Sequence, residues 1–128
     1  MTMQNNAIEI AKVLSEKKAR DITVINIAEK SSFADFFINA TAGSDRQLSA
    51  LLDFAEGKAA ELGLEQKNVE GIQGSGWILA DYGDIIINLF TAETRDKYTL
   101  DKIWSDCEIV FVVRLPCFYN PFYIPQER

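Results

Sequence analysis

The chain has no histidine, only two cysteines and only three prolines in 128 residues, and each scarcity excludes something. Without histidine there is no Ser/His or Cys/His pair, so the usual activation of a nucleophile lacks its base. Zinc sites of the Cys/His kind fall with it, and no metal site is expected. Cys107 and Cys117 read as small apolar residues, because a structural disulfide is not expected in a reducing compartment. No apolar run approaches the roughly 20 residues that cross a bilayer, so no membrane association is expected. MTMQNNAIEIAKVLSEKK lacks the basic start and apolar block of a secretory signal, and a cytoplasmic location is the expectation. Positive charge is also short: 13 Lys and Arg face 19 Asp and Glu, a net charge of −6. A protein held to nucleic acid by phosphate neutralisation needs the opposite balance. The one basic cluster is Lys17-Lys18-Ala19-Arg20. An acidic body suits a basic protein partner, through complementary steering.

What is present is an ordinary globular pattern. Ala7, Ile10, Ala11 and Leu14 recur at helical spacing, which predicts a helix over 4–18. Residues 21–27 (DITVINI) and 35–41 (DFFINAT) read as strands, the first apolar on both parities and so covered on both faces. Ser44 followed by Gln47 forms a capping-box pattern. Leu48, Leu51, Leu52, Ala55, Ala59 and Leu62 then trace one helical face, which Gly63 ends. Residues 65–76 read as a polar, glycine-rich loop, 91–97 as another loop and 100–105 as a short helix. Helices set against a small mixed sheet give an α/β or α+β fold. A domain over 1–107 is expected, with 108–128 as an extension: EIVFVV could add a strand, and the rest holds all three prolines and four aromatics.

Between these elements lies GSGWILADYGDIIINLF, residues 74–90, which reads as a hairpin. Tyr82 and Gly83 are placed at its turn, with Asp81 and Asp84 flanking them. Trp77 at the strand start is either a core residue or an interface anchor, since tryptophan serves both roles. Metal-assisted nucleotidyl transfer would need an Asp-x-Asp or Asp-x-Glu pair on the strand after the Gly43-Ser44 step. WILAD supplies one Asp, so that pair is missing. Gly71, Gly74 and Gly76 match neither a phosphate-binding loop nor a dinucleotide fingerprint. No catalytic residue and no cofactor is assigned.

Five motifs in order resemble those of the ribosomal silencing factor family, also called Iojap: KSSFADFFI (30–38), TAGSDRQ (41–47), VEG (69–71), WILADYGDIII (77–87) and RDKYTLDKIW (95–104). The resemblance covers about residues 5 to 105. It implies a nucleotidyltransferase-like fold without the catalytic carboxylates, used for binding and not as an enzyme. It further implies a translational repressor that docks on the large ribosomal subunit through ribosomal protein L14 (uL14) and sterically blocks association with the small subunit. A homodimer is implied for the free protein, with no direct nucleic-acid requirement. By this analogy Trp77, Asp81, Tyr82, Gly83 and Asp84 face the partner, joined by Glu70 and Arg46. Tyr98, Leu100 and Trp104 also match, at a spacing that suits core packing. The family's common histidine is replaced here by Asn88, and the aromatic tail is longer than the pattern. The alternatives are a nucleotidyltransferase-like enzyme and an adaptor for another basic protein.

Overall fold

A computed structural model describes residues 3–32, 34–71, 76–98 and 107–113. In chain order these form α1 (Met3–Glu16), β1 (Arg20–Asn26), β2 (Phe36–Ala42), α2 (Asp45–Glu61), β3 (Asn68–Glu70), β4 (Trp77–Asp81), β5 (Ile85–Thr91), α3 (Ala92–Tyr98) and β6 (Glu108–Val113). The strands make one mixed sheet of order β3-β4-β5-β2-β1-β6, in which β2 and β5 are parallel and every other pair is antiparallel. With its three helices this is an α+β fold.

Strand parity divides the core. Ile22, Val24, Ile38, Ala40, Ile85, Ile87 and Leu89 point to the side covered by α1 and α2, which contribute Ile10, Leu14, Leu51 and Ala55. Ala40 and Ala42, both fully buried, are small enough for the helices to pack close to the sheet. The other side holds a smaller cluster of Ile25, Ile27, Ala34, Phe37 and Ile86, with Leu79 and Cys107 against its edge. Cys107 is thus half-buried, where the sequence suggested a buried thiol.

The expected caps of α2 are present, with one change. Ser44 Oγ accepts from the Gln47 amide at 3.1 Å. The return bond from Gln47 goes to the Gly43 amide (2.6 Å), one residue earlier than in a standard capping box. Gln47 Nε2 also donates to the carbonyls of Lys17 and Lys18, at 3.4 and 3.2 Å, tying the start of α2 to the α1–β1 turn. At the other end Gly63 N–H bonds to Ala60 O and Leu64 N–H to Ala59 O, a Schellman stop.

Three sequence expectations shift. α1 ends at Glu16 because the chain must reverse into β1: Lys18 takes a left-handed conformation, and Ala19 N–H returns to Leu14 O. The expected loop over 65–76 contains β3, whose three exposed residues are too few to show a period. The expected loop over 91–97 is instead helical, as α3; the Thr94 amide donates to Thr91 Oγ1 at 3.4 Å, a hydroxyl cap at its start. The helix expected over 100–105 lies outside the described residues, as does the tail beyond 113. EIVFVV is the added strand, β6, paired with β1.

α3 is anchored by a buried cation. Arg95, 8% exposed, donates from Nη1 to Asp21 O at 2.6 Å and to Thr41 Oγ1 at 2.9 Å, and its guanidinium lies 5.9 Å from the Phe90 ring centre. Arg95→Met keeps the aliphatic stem and leaves those acceptors without this donor. A stability loss of about 2 kcal/mol is expected, read from the midpoint of urea unfolding.

Candidate functional site

Alternation along β4 sets the site. Ile78 and Ala80 pack into the core under α1 and α2. Trp77, Leu79 and Asp81 therefore lie on the opposite side of the sheet, and all three are half-buried. Register extends this surface to the sheet edge: Glu70 pairs with Leu79 and Asn68 with Asp81, and both β3 residues are exposed. Glu70 accepts from Asn68 Nδ2 at 3.0 Å. The result is an apolar pair, Trp77 and Leu79, bordered by the carboxylates of Glu70 and Asp81.

Trp77 is held from two directions. Its ring lies 5.5 Å from that of Phe90, its direct cross-strand partner, tilted by 38°. Its Nε1 donates to Asn88 Oδ1 at 3.3 Å. Asn88 in turn donates from Nδ2 to Asn39 Oδ1 at 3.1 Å, across the β5–β2 register.

The residue before Trp77 fixes where it begins. Gly76 has φ +78, and a Cβ there would meet the hydroxyls of Thr91 and Thr94. Its carbonyl accepts from the Thr91 amide at 2.9 Å. Gly76→Ala would combine a left-handed backbone penalty with overpacking, so a destabilisation of about 2 kcal/mol or more is expected in denaturant unfolding.

The turn differs from its sequence reading by one residue. Tyr82 N–H donates to Ile85 O at 2.9 Å, which leaves Gly83 and Asp84 at the tip, with Gly83 at φ +86. Asp81 Oδ1 accepts from the Gly83 amide at 2.8 Å, an Asx turn that engages one oxygen of this carboxylate. The Asp84 carbonyl accepts from the amides of Asp35 and Phe36, while its side chain is exposed.

Tyr82 has the opposite parity and turns to the α2 side, where it is 8% exposed. Its hydroxyl accepts from Gln66 Nε2 at 3.3 Å, and Gln66 also donates to Glu56 at 2.6 Å. Burial first, and then the Glu56 charge, push the phenol above its ordinary pKa, against the opposing Gln66 hydrogen bond. It stays neutral at physiological pH.

Arg46 is exposed in the first turn of α2, at the far end of β2 from the hairpin tip. Seven strand residues separate the two, roughly 20 Å. Of the seven sequence candidates, the structure thus gathers Trp77, Asp81 and Glu70 on one surface. It sets Gly83 and Asp84 at the tip, Tyr82 in the core and Arg46 apart. Leu79 and Asn88 were missed in the sequence, although period-two counting from Trp77 would have found Leu79.

Asp81 and Asp84 flank a turn and share no strand face, and among the described residues no three metal-ligating side chains cluster. Two amides at the Gly43-Ser44 step are engaged within the chain: Gly43 N–H by Gln47, and Gln47 N–H by Ser44.

The chain is similar to known proteins in sequence and in fold. The family model "Ribosomal silencing factor during starvation" matches residues 1–119. The chain is 33% identical over 97 residues to the ribosomal silencing factor of Halalkalibacterium halodurans, covering 76% of this chain and 83% of that one. It is 28% identical to a mouse protein named for mitochondrial assembly of the ribosomal large subunit, over 75% of this chain and 43% of that protein. A crystal structure of a Chromobacterium violaceum protein superposes with a TM-score of 0.77 at 28% identity, over 82% of this chain and 88% of that one.

Proposed function

Because this chain belongs to the ribosomal silencing factor family, we propose that it binds the large ribosomal subunit through ribosomal protein L14 (uL14) and keeps the small subunit from joining by occupying its place. The observation that carries this reading is the surface built by Trp77 and Leu79 with Glu70 and Asp81 at its border. An aromatic anchor ringed by charge is how a small protein gains affinity from a limited area. The net charge of −6 favours a basic partner and steers the approach. Steric blocking needs affinity and position and no turnover. The contact is with protein and has no direct nucleic-acid requirement. When free, the protein pairs with a second copy, and it acts in the cytoplasm.

Co-sedimentation with purified bacterial large subunits tests this. The protein should pellet with large subunits, and added free L14 should compete it off. Failure to pellet, or pelleting that free L14 leaves unchanged, contradicts the reading.

A further inference from the structure

The two asparagines beneath Trp77 form a directed chain whose polarity follows from chemistry. An indole nitrogen can only donate, so the Asn88 atom it meets must be the amide oxygen. That turns the Asn88 nitrogen toward Asn39, which must present its oxygen. Each orientation determines the next, and Asn39 and Asn88 are 3% and 5% exposed. Two polar side chains buried side by side on adjacent strands persist only if they satisfy each other.

Geometry shows what the chain accomplishes. A tryptophan side chain has two free torsions. The tilted ring contact with Phe90 restrains one torsion, and the bond to Asn88 restrains the other. Phe90 is itself buried, 1% exposed beneath the Arg95 guanidinium. The indole N–H is thereby directed to the buried Asn88, while the residue as a whole is only half-buried. A partner would meet Trp77 by its ring face and edge, with aliphatic or cationic groups, and would not need to supply an acceptor.

We propose that Asn88, oriented by Asn39, is a positioning residue that pre-organises Trp77 for docking. This rests on the ribosomal reading above. Fixing the two torsions of the Trp77 side chain before association removes a cost otherwise met on binding, worth about 3- to 10-fold in affinity.

The test uses the full chain with nitrogen-labelled tryptophan. It reads solvent exchange of the Trp77 indole N–H by NMR beside pelleting with large subunits; Trp104→Phe assigns the signal, since the chain has two tryptophans. Paired Asn39→Leu and Asn88→Leu substitutions remove the chain without leaving a buried amide unpaired, so the fold should hold. This variant should lose indole protection by roughly 10-fold or more and bind about 3- to 10-fold more weakly. Unchanged protection in the paired variant overturns the proposed bond, and unchanged affinity despite lost protection overturns the positioning role. Wild-type protein that does not pellet overturns the ribosomal reading and the docking role built on it, while the exchange data still decide whether Asn88 holds the indole.

Discussion

Trp77→Ala is expected to weaken binding to the large subunit by about 2 kcal/mol, roughly 30-fold, while leaving the fold intact. The size follows from where the ring sits. It is half-buried on β4, backed by Phe90 and next to Leu79, and the Glu70 and Asp81 carboxylates border the pair. An anchor so placed desolvates on docking, and its charged border excludes water around it. The fold tolerates the loss because Phe90 stays covered by Arg95, and Asn88 can hydrate where the ring was. Sedimentation titrations of wild type and variant give the ratio directly. Equal affinities for two folded proteins would remove Trp77 from the interface.

Tyr82→Ala should act in the opposite way, costing about 3–5 kcal/mol of stability, the range for removing a buried aromatic. The side chain lies in the core under α2, so its contribution belongs to folding, although the sequence places it beside Trp77 in one motif. Tyr82→Phe retains the packing and removes only the bond from Gln66, so about 1 kcal/mol is expected. The raised phenol pKa adds a pH signature. Folding favours the neutral phenol, so its contribution is complete below the unfolded pKa and declines as pH rises through the folded value. Tyr82→Phe should flatten that alkaline decline. Urea unfolding at neutral and alkaline pH measures both effects. If Tyr82→Ala were as stable as wild type and defective only in ribosome binding, Tyr82 would be a surface anchor after all.

These two residues show how far the sequence reaches. Strong patterns were legible: α2 carries its caps and its leucine face in plain order, and β1 read as a strand because it is apolar on both parities. Short elements were not. β3 has three residues, and its identity comes from pairing with β4, a tertiary fact. α3 is charged and polar in sequence, and its place depends on Arg95 reaching Asp21 and Thr41, 74 and 54 residues away. The hairpin motif was found, but its turn was shifted by one residue, and a shift of one exchanges the two faces of a strand. Tyr82 joined Trp77 in the sequence reading by analogy with a family motif, whereas an offset of five residues puts it on the opposite side of the sheet. Asn88 was noted only as a departure from a family pattern, because its hydrogen bonds join three strands.

The central claim is that this fold acts by position. Purified small and large subunits should be mixed under joining conditions, with and without the protein, and separated on a sucrose gradient. The account predicts that joined ribosomes decrease as protein is added, that the protein migrates with free large subunits, and that Trp77→Ala needs roughly 30-fold more protein for the same effect. Undiminished joining, or protein that travels with joined ribosomes, would contradict it.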